Sequence, residues 1–357
     1  MMNNDITYTK AVGILFMVLC HSLFWDIPFV YMFHMPLFFF FSGYCLKEKY
    51  YKAPHVFLYR KIKGIWLPYV KYSVLFLFLH NVMYSLNIYS SSYGYMGQTS
   101  SLYSKDDILS HLSEILIRMQ GQEQLLGGYW FLKALFFGSI ISFIGLWMMR
   151  MVSEKLRLKY SCCVLFGGAI LIIGCLALSL LDRPITILCV DVTCLMAAVF
   201  YWLGHLFATF KIKKFGKMKM LVSILVVALG SCVWPMKMGM PHYQIFKIIP
   251  YIISATLGAW CIYSLPWSSM GRKAAFLLQY VGMSTLTILT WHFLAFKIVS
   301  LIIVEIYALP MGCLAEFSVI SEYAWQGWWV AYFFVAIFTS CCIAYCNKWI
   351  KYDLLRL

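Results

Sequence analysis

Two apolar stretches carry residues that a simple membrane anchor would not need. "KAVGILFMVLCH" (residues 10–21) opens on Lys10 and closes on His21, and "FHMPLFFFFSGY" (residues 33–44) contains His34. Ionisable groups inside apolar segments are costly and mark candidate functional positions. On a helix, Lys10 and His21 are separated by about 16 Å of rise and return to within about 20° of the same face. One face would then present a cation near one membrane surface and an imidazole at or beyond mid-depth. That suits an elongated anionic donor whose charged body stays by Lys10 while its reactive end reaches His21. A histidine, with an ordinary pKa of about 6.5, can take the proton of an attacking hydroxyl. Plainer readings stand beside this one, because Lys10 can snorkel to the surface and His21 can hydrogen-bond across helices.

Other polar residues compete for roles. His34 precedes Pro36, which frees a backbone carbonyl one turn earlier; it suits a structural residue or substrate contact better than the base. Asp26 stands five residues after His21, about 140° around a helix, so the two would not share a face; Asp26 fits an outer mouth. Asp191 can pair with a buried cation such as Lys133 or Lys71, or polarise a histidine. His205 falls towards one end of its segment and His292 near the middle of another, where packing and chemistry are equally open to it. Trp130 can belong to an aromatic belt or stack on a sugar ring. The 13 cysteines lie mostly in apolar segments without zinc-type spacing, and buried cysteine behaves as a small hydrophobe.

The elements that must position these groups are membrane helices. Of 357 residues, 62% are hydrophobic and 12% charged, about half the charge of an ordinary soluble domain. The fold expected is all-α, a polytopic integral membrane protein. Ten segments have roughly the length of a span: 8–26, 28–46, 65–86, 128–149, 161–181, 186–209, 219–236, 246–265, 280–304 and 326–346. With both termini cytoplasmic, the inside segments hold about twenty of the 29 Lys and Arg, and the outside loops about five. The net charge of +15 is then met by anionic lipid, without nucleic acid. The longest outside loop, about 87–127, contains "SKDDILSHLSEILIRM", with the capping and spacing of a short, interfacial helix. A second outside loop, about 305–325, carries Glu305, Glu316 and Glu322. Residues 1–357 are expected to form a single membrane-embedded domain, without internal repeats.

Lys10-x10-His21, "FHMPLFFFFSGY", "GGYWFLKALFF" (127–137), "VFYWLGHLF" (199–207) and "VGMSTLTILTWHF" (281–293) follow one another along the chain. In that order they resemble the acyltransferase-3 family, integral membrane O-acyltransferases that modify bacterial surface polysaccharides and related glycans. The family's first-helix motif usually begins with arginine; here it is Lys10, a point charge rather than a bidentate fork. The match is better to the smaller glycan-modifying branch than to members with an attached hydrolase-like domain.

The resemblance implies transfer of an acyl group, commonly acetyl from acetyl-CoA, to a sugar hydroxyl at the bacterial cytoplasmic (inner) membrane. Acyl-CoA would be a co-substrate, with no permanently bound cofactor and no metal. His21 takes the role of base, or of a transient acyl carrier. Lys10 and His205 fall to the donor, and His34, Asp26, Trp130, Asp191 and His292 to the acceptor. The competing reading is a glycan exporter or other secondary transporter, with the buried His, Lys and Asp lining its path.

Overall fold

The computed structural model describes residues 4–23, 27–94, 100–180, 186, 189–240 and 243–354; Asp26 lies outside them. Among the described residues the regular elements are helices. Seven helices among the described residues are long and apolar enough to cross a bilayer: Pro54–Ser85, Gln124–Leu156, Tyr160–Ser179, Val192–Thr209, Ile245–Ser269, Thr285–Ile306 and Ser321–Asn347. These correspond to seven of the ten expected spans, so the count of ten is corrected. The other three fall short for separate reasons. The first segment forms an unbroken helix, Asn4–Ser22, but Asp5, Lys10 and His21 dilute its apolar content. The second breaks into Pro28–Tyr31 and Pro36–Tyr44, since Pro36 has no N–H to continue a ladder. The seventh, Lys217–Val233, stops at 17 residues because the residue before Pro235 is steered out of helical conformation.

The chain divides into two compact units. The first comprises residues 1–9, 27–68 and 130–269. Its centre is Val192–Thr209, the most enclosed of the spans, with 72% of its apolar window buried. Small residues let backbones meet around it. A Cβ added to Gly43 would overlap the Tyr201 carbonyl, and one added to Gly204 would overlap the Phe40 carbonyl. Ser142 Oγ donates to the Ala198 carbonyl at 2.9 Å. Trp202 Nε1 donates to the Val164 carbonyl at 2.8 Å, its indole lying against Gly167 and Gly168.

The second unit comprises residues 10–26, 69–129 and 270–357. Thr285–Ile306 runs beside Trp329–Leu354, joined by Ser300 Oγ and the Tyr332 hydroxyl at 2.9 Å. The turn Gln124–Tyr129 seats on Thr285–Ile306, with the Tyr129 hydroxyl 2.8 Å from Thr290 Oγ1. The helix expected within the 87–127 loop is present as Lys105–Arg118, opened by a reciprocal capping box between Ser104 and Asp107. Asn81 holds its lead-in, donating to the Tyr103 carbonyl at 3.0 Å and accepting from the Tyr103 N–H at 2.8 Å.

Candidate active site

The helix Asn4–Ser22 delivers His21 in its last turn, and Thr285–Ile306 carries His292 in its second. Within the second unit they meet, His21 Nδ1 lying 3.0 Å from His292 Nε2. The two rings are nearly parallel, 16° apart. His292 is fully enclosed, whereas His21 is half-buried.

The partners of His292 determine where the hydrogens sit. Its Nδ1 lies 3.0 Å from both the Ile288 and the Leu289 carbonyl oxygens. A carbonyl only accepts, so Nδ1 carries the hydrogen and, in the neutral ring, Nε2 holds a lone pair. The shared hydrogen then belongs to His21 Nδ1, which donates to His292. The consequence is a His21 ring with its basic lone pair on Nε2. A backbone turn of one helix thereby selects the tautomer of a residue on another.

Apolar walls and a loop lie beside the pair. Phe293 stacks on His21 with ring centroids 4.8 Å apart, and Phe317 packs on Phe293 at 4.5 Å. Ser318 Oγ donates to the His21 main-chain carbonyl at 2.6 Å, one of the carbonyls a helix leaves without an intrahelical partner at its end. Lys10 lies eleven residues earlier on the same unbroken helix and is partly exposed.

The remaining sequence-derived candidates in the described residues lie in the first unit. Asp191 accepts from the Cys194 N–H at 2.9 Å as the N-cap of Val192–Thr209, and pairs with Lys133 Nζ at 3.1 Å. Of the partners weighed for it, Lys133, Lys71 or a histidine, Lys133 is the one it pairs with. His205 is buried, with Nε2 3.0 Å from the Tyr160 hydroxyl and 3.5 Å from that of Tyr51. Arg150 lies over the Tyr51 ring at 5.3 Å. His34 is buried and donates from Nδ1 to the Val30 carbonyl at 2.9 Å. Trp130 heads its helix and packs against Gly239, whose positive φ of 85° brings the backbone onto the indole.

Sequence reasoning did not single out Lys297, Ser318, His80 or Glu123. A signal existed for Lys297, a cation inside an apolar helix five residues past His292. None existed for Ser318, an ordinary loop serine until the chain folds it onto His21. Among the described residues, no cluster of three or more His, Cys, Asp or Glu could hold a metal ion.

Comparison with known proteins adds a family. A family model, Acyl_transf_3, described as an acyltransferase domain, matches residues 3–347. No curated protein and no solved structure matches the chain.

Proposed function

The chain belongs to the acyltransferase-3 family of membrane acyltransferases, and from that premise we propose that it moves an acyl group, acetyl first, from acyl-CoA to a hydroxyl of a cell-surface or lipid-linked glycan. The observation that carries the reading is the 3.0 Å contact between His21 and His292, with His292 Nδ1 committed to backbone carbonyls. His21 Nε2 is the base. It accepts the hydroxyl proton as the oxygen forms its bond to the thioester carbon; the carbon–sulfur bond then breaks, and the proton passes to the departing thiolate. A covalent variant uses the same atom: Nε2 attacks the thioester carbon as the carbon–sulfur bond breaks and the thiolate leaves. The glycan hydroxyl then takes the acyl group from Nε2, its proton passing to the released imidazole.

In this reading Lys10, on the His21 helix, meets the phosphate-bearing part of the donor. The acceptor is approached from the side of the 87–127 loop. Both termini are cytoplasmic, the membrane is the bacterial inner membrane, and residues 1–357 act as one acyltransferase domain.

The test is thiol release from short acyl-CoAs by purified protein in nanodiscs, wild type beside His21→Ala, with folding checked by melting. Turnover by the wild type that falls about 10³-fold in the folded variant supports the reading. Hydroxylamine-labile acyl label on the wild type would select the covalent variant. If the folded wild type neither binds nor consumes any short acyl-CoA, the reading fails and glycan export becomes the activity to measure.

A further inference from the structure

Lys297 is 5% exposed within Thr285–Ile306. Burying an ammonium is expensive unless its protons are taken up. Two are, and both acceptors are main-chain atoms: the Leu314 carbonyl at 2.9 Å and the Glu316 carbonyl at 2.6 Å. Charge-assisted bonds of this kind are about twice as strong as neutral ones. They clamp one segment, the turn Met311–Ala315 and the residue after it.

That segment leads straight to the candidate base. Phe317 packs on Phe293, the ring that stacks on His21. Ser318 donates to the His21 carbonyl at 2.6 Å. Two residues further, the Ile320 N–H donates to the Tyr332 hydroxyl at 3.2 Å. Residues 311–320 therefore form a strap held at one end by Lys297 and at the other by Tyr332, with its middle resting on His21. Lys297 also shares its helix with His292, so a single rigid element holds both the partner of the His21 ring and the clamp on the His21 backbone.

We propose that Lys297 is a positioning residue for His21, acting through the 311–320 strap. The proposal rests on the reading of His21 as the base. The ring of His21 meets His292 only if the last turn of Asn4–Ser22 is kept at its present depth and rotation, and a displacement of about 1 Å at a reacting group can cost on the order of 10²-fold in rate. Lysine suits the task because its flexible stem lets one ammonium bind two carbonyls of a loop.

The test uses full-length protein in nanodiscs with two readouts. One is kcat and KM for acyl-CoA; the other is the histidine 15N spectrum, which separates Nδ1–H from Nε2–H tautomers and is assigned with His21→Gln. Lys297→Met is expected to lower kcat about 30-fold, with donor KM within about 3-fold, and to replace the single His21 tautomer by a mixture. Lys297→Arg should recover part of both. Ser318→Ala cuts the strap's bond to His21 without touching a buried charge, and should shift the tautomer in the same direction by less; it decides the matter if Lys297→Met does not fold. A folded Lys297→Met, or failing that a folded Ser318→Ala, with wild-type kcat and an unchanged His21 spectrum overturns the proposal. A wild type without turnover defeats the functional reading alone, since the tautomer readout still shows whether the strap positions His21.

Discussion

The second unit holds two histidine contacts, one around His80 and one around His21, and they differ in the partner each makes. His80 is held on both sides: Nδ1 lies 2.8 Å from Glu123 Oε2 and Nε2 lies 2.9 Å from the Ser101 carbonyl. Its faces are covered too, by Tyr103 at a centroid distance of 3.5 Å and Tyr89 at 4.9 Å. His21 instead meets a second imidazole, its Nδ1 lying 3.0 Å from His292 Nε2. The stronger partner, a carboxylate, thus sits on His80, and the weaker one, a second imidazole, on His21. The imidazole partner fixes which nitrogen of His21 carries the hydrogen; at His80 the carboxylate makes a fastening for the 87–127 loop.

The sharpest way to break this contrast is at His292. Replacing it with leucine removes the acceptor of the His21 Nδ1 hydrogen and frees the ring to adopt either tautomer. We expect kcat to fall about 10²-fold while donor KM changes by less than about 3-fold, measured as thiol release from acyl-CoA. Unchanged kcat in a folded His292→Leu protein would mean that the pair is packing, and that the two histidine sites do not differ in the way described.

The reciprocal experiment is His80→Phe, which keeps an aromatic ring between Tyr89 and Tyr103 but strands Glu123. Breaking a buried pair costs about 3 kcal/mol, so the melting midpoint should drop clearly while kcat of the folded fraction stays within about 2-fold of wild type. A drop in kcat matching that of His292→Leu, without loss of stability, would instead put His80 in the reaction.

How much of this was legible beforehand differs between the two sites. His21, its Lys10 companion and the membrane class could be read from residue type and spacing, because a titratable group in an apolar run is conspicuous. The helix Lys105–Arg118 was legible as well, since "SKDD" states its own cap. The union of His21 with His292 was not, being a contact across 271 positions that no local pattern encodes. His80 hid in the open: "LFLHNVMYS" shows a histidine in an apolar helix as plainly as the first segment does, but its partner Glu123 sits in a polar loop where a carboxylate draws no attention. The count of spans failed where length was judged without chain breaks, at Pro36 and before Pro235.

The smallest effect expected lies in the loop that His80 fastens, and it asks whether the fastening or the local helix cap does the holding. The Asp107 carboxylate accepts from the Ser104 N–H and hydroxyl, at 2.9 Å and 2.8 Å, and the Ser104 N–H, then the hydroxyl, keep it below the usual carboxylate range. A group whose folded pKa is depressed stabilises fully above its unfolded value, about 3.9 for aspartate, and loses that contribution as pH falls through the depressed value. Hydrogen exchange in residues 105–118 should therefore be modestly faster in Asp107→Ala than in wild type from about pH 5 to 8, after correction for intrinsic exchange. The difference should shrink as pH falls below about 4. Because Asp107 is on the surface and His80–Glu123 is buried, the change should stay within the helix and leave exchange at His80 and kcat as they were. Spread of the loosening to residues 80–90 would mean that cap and fastening are one cooperative unit, and that the loop is held less by the His80 pair than its geometry implies.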